Sequence, residues 1–385
     1  MPSEKKLSGR IDWVVAKPVF DAALLLSVLA VLSFVQSAES KSTDKPIPLS
    51  KTDFELDKAA PVFVSTPTSS VLPAIPAPQV VQPAPFANKG ATPKEASPVG
   101  AVGSAPFETS FTSWPSKTKE PIAAIVSIHG FGLHKESFSG FAKEMARRGI
   151  STYAIDVRGF GSWMDEKTED KKLDFYQTMM DLRSSIYWVK TMNPGVPVFL
   201  LGESMGGAIA LQATALFPEC VSGLIASVPG AEFYGGKKAA MEVALRMVRP
   251  NSKFNVADKV IEKATSDKNL RENWLRDPRA RKEMTPKQMA QFAAFMNRSD
   301  EMARLIDSVP VLMLQGGKDK LSKADGTERL FKALKTPYKN YVLLDDAEHL
   351  IFEKGQYTAR TADIVQDWLT KQTQRLRSAG SGNPR

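Results

Sequence analysis

The chain has 385 residues, 43% of them hydrophobic and 24% charged, a balance typical of a globular protein that excludes a membrane bundle or a globally disordered chain. Lys and Arg outnumber Asp and Glu by 51 to 42, but no basic run is interleaved with aromatic residues, which argues against a nucleic-acid-binding protein. A single cysteine, Cys220, and three histidines leave no Cys/His zinc pattern, so we expect neither an internal disulfide nor metal catalysis.

The N-terminal 40 residues have the pattern of a targeting segment. Four basic residues precede the apolar stretch 22–35, whose length of about 14 residues matches the apolar region of a signal peptide and is short for a membrane span. A small-x-small pattern follows at 38–40, whereas Asp12 and Asp21, which precede the stretch, favour an uncleaved anchor. Residues 1–40 are thus predicted to be a signal peptide or a membrane anchor, with the rest of the chain outside the cytoplasm.

A proline-rich segment separates this stretch from the first recognisable strand. Residues 41–106 are rich in Pro, Ala, Ser, Thr and Val and hold few aromatic residues. Closely spaced prolines remove hydrogen-bond donors and favour extended conformations, so the segment is predicted to be a disordered linker. A ligand for a proline-binding module is the alternative interpretation.

Strands and helices alternate along the predicted globular domain, 107–377, before a flexible tail at 378–385. The continuous apolar run 122–128 predicts a strand buried on both faces, and the spacing of apolar residues in 136–148 predicts an amphipathic helix. Further strands are predicted at 107–113, 151–156, 198–201, 221–228, 311–315 and 340–344, and further helices at 175–192, after 204, and at 358–376. Short joints between them indicate an α/β fold with a mostly parallel central sheet flanked by helices.

The alternation breaks between 229 and 309. This segment is helical in character, with Met and Phe at helical spacing in 239–248 and 286–296. Two interpretations are open. The segment is either a set of extra helices packed on the sheet, or a cap at about 230–307 whose apolar inner face covers the sheet and admits an apolar substrate. We favour the cap.

The sequence Gly-Glu-Ser-Met-Gly-Gly joins the strand that begins at Val198 to a helix. Glycines two residues before and two after Ser204, Gly202 and Gly206, permit a turn in which backbones approach closely. Such a turn presents the Ser204 hydroxyl at the top of the sheet, with the backbone N–H of Met205 directed at a developing oxyanion. Ser204 is therefore the candidate nucleophile.

A serine nucleophile needs a base, and the base needs an orienting acid. His349 follows the last predicted strand and is the candidate base, since His129 lies in a glycine turn and His134 opens a helix. The candidate acid is Asp319, which follows the strand 311–315. Its carboxylate is therefore expected at the carboxyl end of that strand, where ligands and catalytic groups are found in parallel sheets. Other candidates for the acid are Asp345, Asp346 and Glu348.

A second oxyanion donor is expected from the turn His129-Gly130-Phe131-Gly132, which ends the strand 122–128. The backbone N–H of Phe131 would pair with that of Met205, with Gly130 and Gly132 permitting the turn. The stretch 156–162 is expected to hold the neighbouring loop and is assigned no chemistry.

Five motifs together resemble the α/β-hydrolase superfamily, and within it the branch of monoacylglycerol lipases and lysophospholipases that is also grouped with the serine aminopeptidases: HGFG, DVRGFGSW, NPGVPVFLLGESMGGAIAL, VPVLMLQGGKDKLS and DDAEHLIFEK. The resemblance implies that Ser204, Asp319 and His349 form a catalytic triad and that 230–307 is the cap. Many relatives have His where Glu203 stands, and the side chain of Glu203 could face the acyl pocket or brace the turn.

The predicted function is that of a serine hydrolase that cleaves carboxylic esters, of monoacylglycerol or lysophospholipid type, through an acyl-enzyme. No cofactor or metal is needed for this chemistry. The expected partners are a small acyl ester or lipid and, through the N-terminal segment, a membrane, with no nucleic acid. Alternatives are a peptidase or thioesterase that uses the same triad, and a non-catalytic binding protein tethered to a membrane.

Overall fold

The structure is a computed structural model that describes residues 111–164, 173–230 and 232–381. The predicted signal peptide or anchor and the predicted linker lie outside the described residues, as does 382–385. Among the helices of the described ranges, none is long and apolar enough to cross a membrane.

A seven-stranded sheet forms the centre of the domain, in the spatial order β1-β3-β2-β4-β5-β8-β9. All neighbouring pairs are parallel except β1, which runs antiparallel to β3 at one edge. The predicted mostly parallel sheet is confirmed. Its strands are β1 (Phe111–Trp114), β2 (Ala123–Ile128), β3 (Ile150–Ile155), β4 (Val198–Glu203), β5 (Gly223–Ser227), β8 (Val311–Gly316) and β9 (Lys339–Leu344).

Helices cover both faces of the sheet, which explains why its inner strands are continuous apolar runs. In β4, Phe199 and Leu201 pack on one face and Val198 and Leu200 on the other, as the two-residue period of a strand requires. The flanking helices are α1 (Ser139–Arg147) and α10 (Ala359–Ser381) on the first face, and α2 (Phe175–Met192), α3 (Met205–Leu216) and α9 (Ala324–Ala333) on the second.

Most predicted elements lie within two residues of their observed bounds, and α2 matches its prediction. Three differ. The predicted helix 136–148 begins as a 3₁₀ turn, Lys135–Phe138, before α1, a common helix start. The sequence reading omitted α9. The last helix runs through Ser381 rather than ending near Leu376, and within this extension the Ser378 hydroxyl donates to the Gln374 carbonyl at 3.0 Å.

The segment after β5 forms five helices and a small antiparallel pair of strands within residues 232–309. The two predicted cap helices are present, and α7 begins with a capping box between Thr285 and Gln288. The sequence reading did not resolve the short elements between them. The elements are α4 (Gly236–Arg246), β6 (Phe254–Asn255), α5 (Ala257–Ala264), α6 (Lys268–Arg276), β7 (Glu283–Met284), α7 (Pro286–Asn297) and α8 (Ser299–Ala303).

Glu353 is a buried acid in the loop between β9 and α10, with 8% of its surface exposed. Burial raises the pKa of its carboxyl well above the ordinary value, and the neighbouring Glu203 carboxyl adds to the rise, against a smaller opposing effect of the Ser137 hydroxyl. Glu353 therefore keeps its proton in the folded chain at pH values where the unfolded chain has lost it.

We predict that Glu353→Gln reduces the pH dependence of folding stability. Above pH 4.5, the ordinary pKa of this group, the unfolded chain binds fewer protons than the folded chain, so the free energy of unfolding decreases as pH rises toward the raised pKa. The substitution should therefore stabilise the protein more at about pH 8 than at about pH 5. Urea denaturation at the two pH values measures this, with the exposed Glu120→Gln as control. An equal effect of Glu353→Gln at both values would contradict the prediction.

Candidate active site

The turn between β4 and α3 holds Ser204 in a strained backbone conformation, with φ 55° and ψ −116°. A non-glycine residue at positive φ costs about 1–3 kcal/mol and is retained only when surrounding contacts enforce it. One such contact is the Ser204 N–H, which donates to the Ser227 carbonyl at 2.9 Å. The predicted strand, turn and helix are present around the candidate nucleophile.

The glycines that flank this turn are required by close backbone approaches. A Cβ on Gly202 would lie 2.0 Å from the Gly206 carbonyl oxygen, and a Cβ on Gly206 would lie 2.0 Å from the Ile128 carbonyl oxygen. Real Cβ atoms do not come this close to backbone. Glycine at both positions thus lets the start of α3 pack against the ends of β2 and β4.

Ser204, His349 and Asp319 form a continuous hydrogen-bonded chain. The Ser204 hydroxyl lies 2.9 Å from His349 Nε2, and His349 Nδ1 lies 2.8 Å from Asp319 Oδ2. The Asp319 contact places a proton on Nδ1 and leaves Nε2 to accept from Ser204. The structure thus brings the three predicted residues together in the predicted order, although they are far apart in the sequence.

Backbone amides fix the Asp319 carboxylate. Its second oxygen, Oδ1, accepts the N–H groups of Leu321 and Ser322 at 2.7 and 2.8 Å, and Gln315 Nε2 donates to Oδ2 at 3.3 Å. These donors orient the carboxylate toward His349.

The other candidate acids face elsewhere. Asp345 and Asp346 are exposed, and Asp346 pairs with Lys318 at 3.2 Å. Glu348 accepts hydrogen bonds from the Thr265 hydroxyl and the Ser266 N–H, both in the cap. Of the four candidates, Asp319 is the one that contacts the His349 ring.

The turn after β2 lies beside Ser204, as predicted for the second oxyanion donor. A Cβ on Gly130 would lie 3.6 Å from the Ser204 Cβ, which places Gly130, the residue before Phe131, next to the candidate nucleophile. His129 Nδ1 donates to the Gly130 carbonyl at 2.8 Å, and the Val157 N–H donates to His129 Nε2 at 3.0 Å. Burial lowers the pKa of His129 to about 4, so its neutral ring braces the turn.

The loop assigned no chemistry has a structural role here. Asp156 accepts hydrogen bonds from the Lys135 N–H and from the Ser162 N–H and hydroxyl. The Asp156 carboxylate leaves no space for a side chain at Gly161. The loop therefore holds the segment that follows the oxyanion turn, as the sequence predicted.

The cap contacts the oxyanion turn directly, which the sequence analysis missed. Gly132 has a φ of +79°, and a Cβ at this residue would lie 2.5 Å from the ring of Trp274. The Arg281 N–H donates to the Gly132 carbonyl at 3.0 Å. The ring of Phe292 in α7 lies 5.0 Å from that of Phe131. Nothing in the local sequence around Trp274 or Arg281 indicates this partner, because it lies over a hundred residues away in the chain.

The candidate site is nearly withdrawn from water, with exposed fractions of 6% for Ser204, 2% for His349 and 8% for Asp319. Charge–charge and dipolar interactions are strengthened in such an environment. A serine hydroxyl beside an oriented imidazole can serve as a nucleophile toward an acyl carbon. Within the described ranges, no group of three or more His, Cys, Asp or Glu side chains is arranged to hold a metal ion.

Comparison with known proteins yields related sequences that match most of the globular domain. A sequence model of the family described as serine aminopeptidase, S33, matches residues 119–355. The human monoglyceride lipase is 25% identical over 281 residues, covering 71% of this chain and 90% of that protein. The rat monoglyceride lipase is 29% identical over 266 residues, covering 66% of this chain and 84% of that protein.

Solved structures show the same fold. A soluble variant of the Saccharomyces cerevisiae monoglyceride lipase, in complex with a substrate analogue, superposes with a TM-score of 0.58 at 22% identity, over 68% of this chain and 91% of that one. The Paleococcus ferrophilus monoacylglycerol lipase superposes with a TM-score of 0.57 at 22% identity, over 69% of this chain and 100% of that one. The predicted fold and the predicted class of serine hydrolase are confirmed: the chain belongs to the serine aminopeptidase S33 family of α/β-hydrolases.

Proposed function

We propose that this protein hydrolyses carboxylic esters of lipid type, such as monoacylglycerols or lysophospholipids, through a Ser204–His349–Asp319 triad. The observation that carries the proposal is the hydrogen-bonded chain from Ser204 Oγ to His349 Nε2 at 2.9 Å and from His349 Nδ1 to Asp319 at 2.8 Å. Its burial beneath an apolar cap suits an acyl substrate.

In the proposed mechanism, Ser204 Oγ attacks the ester carbonyl while His349 Nε2 takes its proton. The Phe131 and Met205 N–H groups stabilise the oxyanion of the tetrahedral intermediate, each contributing about 3 kcal/mol to transition-state stabilisation. His349 then protonates the leaving alcohol, and an acyl group remains on Ser204. Water activated by the same imidazole releases the acid. Asp319 keeps the imidazole in the required tautomer and stabilises its protonated form.

The apolar side chains of the cap support the proposal of an apolar acyl substrate. Met289, Phe292 and Phe295 of α7 pack, together with Phe131, against the buried core on the second face of the sheet, and Phe175 stacks on Phe295 at 4.2 Å. Aromatic and methionine side chains accommodate apolar ligands of varied shape. The related human and rat proteins are named monoglyceride lipases, which is consistent with a substrate of this type.

A peptidase or thioesterase is the second candidate, because the family model carries the name of an aminopeptidase. The same serine, base and oxyanion turn would attack a peptide or thioester carbonyl. The full chain should therefore be assayed with matched acyl esters, acyl thioesters and aminoacyl amides, in a series of acyl lengths and with monoacylglycerols and lysophospholipids included.

We predict that a fluorophosphonate probe labels the full chain on Ser204 and that Ser204→Ala abolishes both labelling and ester hydrolysis. Ser227→Ala is the matched control, because Ser227 is also a buried serine beside the turn, and it should keep labelling. Persistent labelling of the Ser204→Ala variant would refute the assignment of the nucleophile. Faster cleavage of an amide or thioester than of the matched ester would favour the second candidate.

We further propose that the protein works at a membrane, outside the cytoplasm, held there or exported by residues 1–40. One outward face of the cap supports contact with a lipid surface. Met241, Leu245 and Val248 recur at helical spacing on and after α4 and are 50%, 71% and 75% exposed. Arg246, which pairs with Glu242, lies between them in the chain and Arg249 directly follows Val248, and basic residues beside an apolar helical face favour anionic lipids.

We predict that the full chain co-sediments with vesicles containing anionic phospholipid and that Leu245→Ser with Val248→Ser weakens this binding. Leu305→Ser is the control, since Leu305 is 57% exposed but outside this face. Fractionation of cells that produce the chain should place it in the membrane or exported fraction. Recovery entirely in the cytosol would contradict the proposed location, and equal binding by the double variant would exclude the cap face.

A further inference from the structure

The side chain of Glu203 lies on the face of the sheet that α1 and α10 cover. Along β4, Phe199, Leu201 and Glu203 occupy alternate positions and therefore share one face. The first two pack in the cluster that includes Ile351 and Phe352, whereas Phe292 and Phe295 of the cap pack with the opposite cluster. Of the two possibilities that the sequence left open, this placement favours bracing over lining of an acyl pocket.

The Glu203 carboxylate connects the nucleophile turn to the loop that carries the base. Its Oε1 accepts the N–H groups of Ile351 at 2.6 Å and Phe352 at 2.9 Å. Glu203 itself is 1% exposed. It precedes Ser204 in the chain, and the two amides follow His349 by two and three residues. One carboxylate oxygen therefore closes a ring that contains both Ser204 and His349.

The other side of the base loop is held by the loop of the acid. The Gly317 N–H donates to the Leu344 carbonyl at 2.8 Å, and the Lys318 N–H donates to the Ala347 carbonyl at 2.9 Å. A Cβ on Gly316 would lie 2.2 Å from the Glu348 carbonyl oxygen. His349 is thus fixed before its position by the Asp319 loop and after its position by Glu203.

We infer that Glu203 is a positioning residue for the proposed hydrolysis: its ionised carboxylate holds the His349 loop so that Nε2 stays within hydrogen-bonding distance of Ser204 Oγ. This inference rests on the proposed function. A carboxylate accepts amide hydrogens more strongly than a neutral group does, so ionisation tightens the ring. A buried acid that served stability alone would leave the reaction rate of the folded enzyme unchanged when replaced by its amide.

The ionisation of Glu203 lies in the range where the enzyme would work. Burial raises its pKa to about 7, while the Phe352 and Ile351 N–H groups and His349 favour the charged form, and Asp319 opposes it. Glu353, on the same loop, also lies close enough to interact with it. Near neutral pH both forms of Glu203 are populated, and Glu203→Gln imitates the protonated form.

The first test compares kcat and KM for the full chain with Glu203→Gln and Glu203→Ala. We expect kcat to fall about 10-fold for Gln, which keeps one acceptor oxygen, and about 100-fold for Ala, because small misplacements of catalytic groups have effects of this size. KM should stay within about twofold, since the carboxylate binds backbone amides of the His349 loop and not the residues proposed to hold the acyl group. Thermal denaturation confirms that each variant is folded. Wild-type kcat in a folded Glu203→Gln variant would overturn the inference.

The second test is the pH profile, which a purely structural role would not change. The ratio of wild-type to Glu203→Gln kcat/KM should rise from near one at about pH 6 to about 10 at about pH 8, as wild-type Glu203 ionises. Glu353→Gln is the control, because it removes another buried carboxyl from the same loop but leaves both hydrogen bonds of Glu203 in place. This variant should keep wild-type kcat, and the ratio of wild-type to variant kcat/KM should not change with pH. A flat ratio for Glu203→Gln would also overturn the inference.

Amide hydrogen exchange separates failure of this inference from failure of the proposed function. The Ile351 and Phe352 amides should be protected in the wild type, less protected in Glu203→Gln and fast in Glu203→Ala, whether or not any ester is cleaved. Absence of ester hydrolysis and of fluorophosphonate labelling in the wild type would refute the proposed function. Equal exchange in the three proteins would refute the role of Glu203.

Discussion

The structure depends on one close backbone approach, in which the first turn of α3 lies against the ends of β2 and β4. Only hydrogen atoms fit at Gly202 and Gly206 in that contact, and it lets the chain change from strand to helix within one residue. Ser204 takes a positive φ as a result. The groups around it come from neighbouring parallel strands, whose carboxyl ends meet at one edge of the sheet: the oxyanion turn follows β2, Asp319 follows β8 and His349 follows β9.

The same edge concentrates features that reduce stability. Ser204 is strained, and the buried carboxyls of Glu203 and Glu353 have raised pKa values because burial disfavours their charged forms. Such costs are typical of functional sites, where rigid placement of polar groups outweighs the loss of stability. Contacts with the cap further restrict the turn after β2, since Trp274 and Arg281 pack against it and hydrogen-bond to it at Gly132. Ser204, His349, Asp319 and the turn after β2 are therefore held by backbone contacts as much as by side chains.

The sheet and the three candidate catalytic residues could be predicted because their signals are local. Apolar runs mark β2 and β4, glycines flank Ser204, and Asp319 and His349 each follow a recognisable strand. The partners of Glu203 and Gly132 could not be predicted, because the first needs the register of a loop 148 residues away and the second needs the packing of α6. The omission of α9 has a different cause, since its apolar residues after Ala324 lie only in its last turn. The cap was predicted from the break in the alternation of strands and helices and from its spacing of Met and Phe, but the short elements between α4 and α7 were not resolved.

The central claim is that Ser204 carries the acyl group during turnover. Rapid mixing of the full chain with an activated ester, followed by acid quenching and peptide mass spectrometry, tests it most directly. The account predicts an adduct of the acyl mass on the peptide that contains Ser204, formed as fast as the first equivalent of alcohol is released and lost at the rate of steady-state turnover. Ester turnover without an adduct on Ser204, or with the acyl group on another residue, would contradict it.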